Sequence, residues 1–155
     1  MYKSPISVLV VLHTRNLDFL LLERVAHPGY WQSVTGAWEA GERLVETARR
    51  EVWEETGIAV EPGMLRDWRQ SRVYEIFPEW RNRYAPGVTH NTEHLFSLCL
   101  PSRPPIRLAP AEHRNHQWLP AAEAAARCFS QTNREAIAQV ARETLPRYDG
   151  CRLVS

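Results

Sequence analysis

Apolar positions recur along the chain in two periods, one of strands and one of helices. Ile6 to Thr14 is β-branched and apolar almost throughout, which predicts a strand buried on both faces. Leu17 to Arg24 is a second apolar stretch, reached through a short polar turn at Arg15 and Asn16, and a hairpin is the economical arrangement of the two. After the turn at His27, Pro28 and Gly29, Trp31 to Thr35 forms a short strand that delivers the chain to Gly36. The period then lengthens. Leu44, Val45, Ala48 and Val52 fall at helical spacing and predict a helix from about Leu44 to Glu55, with Gly57 placed where a helix ends in a left-handed residue.

Residues 64–77 mix aromatic, β-branched and charged side chains, as a strand with one wet face does, and Thr92 to Leu100 alternates as another strand. The loop between them, Pro78 to Gly87, carries Arg81, Arg83 and Tyr84, a set able to grip an anionic or aromatic ligand as a flap. Four prolines from Pro101 to Pro110 keep that segment out of a central sheet. A short strand at His116 to Leu119, a short helix at Pro120 to Ala126 and a final helix at Thr132 to Leu145 complete the prediction. The last helix opens on a capping box, Thr132 with Glu135, and carries a core stripe of Ala136, Ile137, Val140 and Ala141. The alternation of strands and helices places the chain in the α/β class. Its 155 residues suit one domain spanning 1–155, with 146–155 a loose tail.

Composition narrows the partners. A formal net charge of +1 and a pI near 7.8 leave no global field to draw the chain to nucleic acid or to an acidic membrane, so any anion site must be local. The longest apolar run, around Val8 to Leu12, is too short to span a membrane, and a cytoplasmic protein is expected. Cys99, Cys128 and Cys151 lie far apart without a CxxC pair, which argues against a zinc cluster or a disulfide framework and agrees with a reducing compartment. The histidine pairs His90/His94 and His113/His116 lack the partners of a tetrahedral metal site and are expected to face solvent or substrate. Whether the protein is a monomer or a homodimer is left open.

Chemistry concentrates on the first helix. Glu51, Glu54 and Glu55 fall within an arc of roughly 100° on its surface, and like charges at such spacing cost a few tenths of a kcal/mol per pair. A hard divalent cation, which takes oxygen ligands between carboxylates and phosphates, would relieve them. A glycine at position 36 lets backbone approach closely, so its carbonyl is a further candidate oxygen ligand. Arg50 is placed to pair with a neighbouring acid and fix its rotamer.

Gly36, Glu42, Arg50, Glu51, Val52, Glu54, Glu55, Gly57 and Ile58 match the Nudix box at every specified position, and the chain is identified by resemblance as a Nudix hydrolase. The resemblance implies an α/β/α sandwich with a mixed β-sheet between helices. It also implies Mg²⁺-dependent hydrolysis, with Mn²⁺ as a possible substitute, of a nucleoside diphosphate linked to another moiety. A catalytically silent nucleotide-sensing module of the same fold is the alternative from another class, and the intact acids speak against it.

The segments WQSVTG (31–36), RYAPGVTHNTE (83–93), Glu112-His113 and Asn133-Arg134 narrow the resemblance to a folate-pathway subfamily. Its members convert 7,8-dihydroneopterin triphosphate to the monophosphate and pyrophosphate, and a broad house-cleaning (d)NTP pyrophosphatase is the runner-up. Carried over by position, the resemblance makes Glu51, Glu55 and Glu112 metal-binding acids, with Glu54 a further ligand or the base. It implies substrate contacts at Lys3, Arg24, Thr35, Tyr74, Glu75, Ile76, Phe77 and Ser130. Lys3 and Arg24 offer positive charge to a triphosphate, Tyr74 and Phe77 can line a flat heterocycle, and Glu75 can accept from its amino groups.

Overall fold

The computed structural model describes residues 1–144, so the expected tail at 146–155 lies outside the described residues. The chain is built around β1 (Ile6–Thr14), whose alternate side chains feed two separate cores. Val8, Val10 and Leu12 point to one face and pack with Ala48 and Val52, whereas Leu9 and Val11 point to the other and pack with Ala136, Ile137 and Val140. The unbroken apolar run from Val8 to Leu12 is thereby explained, since both faces of the strand are covered and each buried aliphatic side chain contributes about 1.5–3 kcal/mol.

One edge of β1 pairs in parallel with β6 (His90–Leu100) along its whole length, from Ile6 opposite Thr92 to Thr14 opposite Leu100. The other edge is divided. β4 (Val34–Ala37) pairs antiparallel with its first half, Ser7 opposite Ala37 through Val10 opposite Val34. β2 (Asp18–Arg24) joins only near the turn, at His13 opposite Phe19. The expected hairpin therefore splays after one pair, and the sheet opens between β2 and β4. Leu17 takes the left-handed conformation (φ 62°), its N–H donating to Thr14 O at 2.9 Å, so β2 begins one residue later than the apolar pattern suggests.

β5 (Leu65–Glu75) closes one side against β6, while β7 (His113–Pro120) and the short β3 (Trp31–Gln32) flank β2. The sheet is mixed, with one parallel pair among antiparallel ones. Helix α1 (Leu44–Thr56) covers one face, and α2 (Ala121–Arg127) with α3 (Gln131–Thr144) covers the other. This is the α/β/α sandwich expected.

Two local details depart from the sequence reading. β7 starts at His113, three residues earlier than expected, and that histidine is buried beside Gln32 (Nε2 to Nε2 3.3 Å). Helix α3 starts before Thr132, and its first turn is capped by the Ser130 hydroxyl, which accepts from Asn133 N at 3.2 Å, while Glu135 bonds to the Gln131 side chain. Among the described residues Cys128 is a buried free thiol.

Candidate active site

Helix α1 starts where the Glu46 carboxylate accepts from Arg43 N at 2.7 Å, and it ends at Gly57, whose φ of 76° lets its N–H reach Trp53 O. Its buried face is Thr47, Ala48, Glu51, Val52, Glu55 and Thr56. Two of the crowded acids thus belong to the packed side of the helix: Glu51 is 8% and Glu55 1% exposed, while Glu54 is open to solvent. Glu51 and Glu55 touch, close enough to share a proton. Loss of hydration pushes the Glu51 carboxyl up to about 7 despite the help of Arg50. Burial, and then the charge of Glu51, drives Glu55 well above the usual carboxylate range. One oxygen of Glu55 lies beside the Thr35 backbone amide, and the other, Oε1, is buried with no hydrogen-bond partner among the described residues.

Arg50 organises the rest of the acidic cluster. Its Nε and Nη2 grip Glu42 at 2.7 and 3.0 Å, Nη2 reaches Ala37 O at 3.0 Å, and Nη1 reaches Glu51 at 2.9 Å and Glu54 at 3.3 Å. Its guanidinium, helped by Thr47, holds the Glu42 carboxyl down to about 2. One planar fork therefore ties the loop after β4 to the helix and fixes the rotamer of Glu51.

Gly36 presses on the same acid. A methyl group at its Cα would stand 1.9 Å from Glu51 Cδ and 2.0 Å from Oε2, so only glycine admits this carboxylate beside the strand. The Thr35 hydroxyl donates to Val8 O at 2.9 Å, fixing β4 on β1. Ser33 and Asn133 clamp the neighbouring backbone across the molecule, through Ser33 N to Asn133 Oδ1 at 2.8 Å and Asn133 Nδ2 to Ser33 Oγ at 3.0 Å.

These groups open into a cavity of about 910 Å³ lined by residues of β1, β2, β4, β5 and β6. Lys3, Arg24 and Arg83 supply its positive charge. Burial and the mutual repulsion of these cations lower the pKa of both Lys3 and Arg24, while Glu112 acts on both in the opposite sense. Phe77, Trp80 and Phe129 form an aromatic wall, with Phe77 and Trp80 centroids 5.0 Å apart and the Arg24 guanidinium 4.6 Å above Trp80. Among the described residues, no three Asp, Glu, His or Cys side chains form a finished metal-ligand set.

The cavity collects most of the residues singled out from sequence: Gly36, Glu51, Glu54, Glu55 and Glu112 together with Lys3, Arg24, Thr35, Tyr74, Glu75, Phe77 and Ser130. Ile76 is not among them. It is buried beneath the wall, its N–H donating to Thr89 O at 2.8 Å, because its neighbours Tyr74, Glu75 and Phe77 take the cavity side. Arg81 is also turned away, bonded to Glu75 and to Ile76 O, so the flap contributes Arg83, Tyr84 and Trp80 instead. Sequence reasoning missed Gln32, Asn91, Glu93 and Thr132, all of which line the cavity. Asn91 and Glu93 entered the sequence reading only inside the segment 83–93, with no role of their own.

The family profile described as NUDIX domain matches residues 3–140, and the chain belongs to the Nudix family. Within that family it is 45% identical over 141 residues to the dihydroneopterin triphosphate diphosphatase of Escherichia coli K12, covering 89% of this chain and 93% of that one. Identity to the enzyme of the same name from Haemophilus influenzae is 41% over 139 residues, covering 88% and 87%. The solved structure of the E. coli dihydroneopterin triphosphate pyrophosphohydrolase superposes with a TM-score of 0.86 at 43% identity, covering 92% of this chain and 99% of that one. Members of the family generally act with divalent metal ions. Among the described residues, no helix is long and apolar enough to cross a membrane.

Proposed function

We propose that this protein is a cytoplasmic, Mg²⁺-dependent pyrophosphohydrolase that converts 7,8-dihydroneopterin triphosphate to dihydroneopterin monophosphate and pyrophosphate. The observation that carries the reading is one cavity lined both by a pair of buried carboxylates with an unsatisfied oxygen and by a basic and aromatic wall suited to a phosphorylated heterocycle. The enzymes similar to it over nearly their whole length, with this chemistry in their names, support the same assignment.

The donor set suits a hard cation. Glu51 and Glu55 are two carboxylates pressed together with raised pKa values, which an ion would ionise and separate. We assign Glu51, Glu55, Glu112 and Glu54, with the Gly36 carbonyl, as its ligands. When bound, the ion supplies charge neutralisation at the diphosphate bridge and lowers the pKa of a coordinated water.

The chain supplies the rest. Lys3, Arg24 and Arg83 hold the phosphate oxygens, and the overlap of their charges leaves the site in need of an anion. Arg50 holds Glu51 in place. Glu54 and Glu112, exposed carboxylates facing the cavity, are the groups placed to take a proton from water, and a rate comparison of E54Q with E112Q tells them apart. Tyr74 and Phe77 line the heterocycle. The test is a substrate screen read by pyrophosphate release, with and without chelator: the pterin triphosphate should release pyrophosphate only when a divalent ion is present, and no release from it defeats the reading.

A further inference from the structure

The far end of the cavity is floored by polar side chains, three of them without a role in the reading above. Ser7 on β1 and Asn91 and Glu93 on β6 lie on the sheet face that carries Leu9 and Leu95, and Tyr74 on β5 pairs with Asn91. All four line the cavity. Ala37, Ser7, Glu93 and Arg72 are register partners across β4, β1, β6 and β5. Glu93 thus stands two strand spacings, about 10 Å, from the strand that carries Gly36 beside the metal-site acids. One extended ligand can reach both ends.

These groups present acceptors. Asn91 is 2% exposed; its Nδ2 donates to Ser7 Oγ at 2.8 Å and to Tyr74 Oη at 3.1 Å, so its amide group is oriented and its Oδ1 is left without a partner among the described residues. Glu93, 8% exposed and two residues further along the same face, lies beside the Thr132 hydroxyl and feels the charge of Arg72. Arg72 is itself engaged by Gln139 and Glu135. A carboxylate has about four acceptor sites, and one hydroxyl does not fill them. Buried acceptors of this kind cost free energy unless a ligand supplies donors.

We propose that Glu93 and Asn91 read the edge of the substrate's heterocycle, Glu93 accepting the exocyclic amino group and Asn91 Oδ1 the adjacent ring N–H of a 2-amino-4-oxo ring of the pterin or guanine kind. The inference rests on the functional reading above and names which part of the substrate is recognised. Two adjacent N–H donors are what a carboxylate and an amide oxygen on one strand face can accept together. Burial has pushed the Glu93 carboxyl up to about 7, and such a donor pair returns it to the ionised form.

The experiment compares kcat/KM at pH 8.5 for dihydroneopterin triphosphate, dGTP and dITP, the last differing from dGTP only in lacking the 2-amino group. Wild type should prefer dGTP to dITP by about tenfold or more, the size of a hydrogen bond to a charged acceptor. Glu93→Gln puts a donor where an acceptor stood. It should lose about tenfold or more on the pterin and on dGTP while keeping dITP within about threefold. Equal treatment of dGTP and dITP by wild type overturns the proposal, and that comparison needs no folded variant. Equal losses by E93Q on all three substrates also overturn it, because they mark a purely structural role. Good turnover of the pterin without discrimination between dGTP and dITP defeats this inference and leaves the functional reading standing. No turnover of the pterin defeats the functional reading, and the ratio of dGTP to dITP still judges the edge assignment.

Discussion

A single methyl group at Gly36 tests how the acids are held. The Cβ of Gly36→Ala would lie 1.9, 2.0 and 2.4 Å from Cδ, Oε2 and Cγ of Glu51, where ordinary contact needs about 3.5 Å. The carboxylate must move by roughly 1.5 Å, and it cannot do so freely because Arg50 Nη1 holds its Oε2 at 2.9 Å. Misplacement of a reacting group by about 1 Å costs on the order of a hundredfold, so kcat/KM for the triphosphate should fall by about that factor. The fold should survive. Overpacking costs about 1–3 kcal/mol, or a few degrees in Tm for a domain of this size. Steady-state pyrophosphate release and a thermal melt on the same preparation separate the two effects. An alanine variant with kcat/KM within about twofold of wild type would show that Glu51 need not sit against β4, and the account of the glycine would be wrong.

Glu51→Gln and Glu55→Gln should each lower the rate by about a hundredfold or more in saturating Mg²⁺, the scale of a disturbed metal site; unchanged turnover removes those residues from it. Stability in chelator should move the other way. Glu51 has a folded pKa raised to about 7, so its contribution is present below its unfolded pKa and is lost as pH rises toward 7. Glu51→Gln stays neutral throughout, and its Tm relative to wild type should climb between about pH 5 and 8; a flat difference contradicts the crowding of the two acids. Arg50→Lys cannot reproduce the fork that holds Glu42, Glu51 and Ala37 O together, and it should cost about tenfold or more in kcat. Trp80→Ala should raise KM by about tenfold with kcat little changed if the aromatic wall binds the heterocycle; a drop in kcat alone would place the tryptophan elsewhere in the cycle.

Much of the fold was legible because each element has one dominant cause. β1 is apolar from Val8 to Leu12 since two cores use it, and α1 is framed by its apolar stripe and Gly57. What sequence could not give was the split edge of β1. The pattern of β2 is that of any hairpin partner, and nothing in it says that β4 will displace it after one residue pair. The acids of α1 were legible as a crowded face but not as an unequal one, because the burial of Glu55 against the exposure of Glu54 depends on where β4 lies. Glu112 entered only through resemblance. Asn91 and Glu93 lay in the segment 83–93 but carried no assigned role, because a polar residue at a strand's end usually marks a solvated edge; here the N-terminal segment, the flap and the start of α3 roof it over. The Ser130 cap was misread for a similar reason, since Thr132 with Glu135 has the right spacing but Thr132 is turned toward Glu93.

The central claim is that this cavity works on a pterin triphosphate. It is tested most directly by kcat/KM for 7,8-dihydroneopterin triphosphate against dATP, measured in parallel with Mg²⁺ by pyrophosphate release. The account predicts that the pterin is preferred by about tenfold or more, with pyrophosphate and the monophosphate as the products. Equal or better turnover of dATP and the other dNTPs would contradict it and mark a general nucleotide pyrophosphatase.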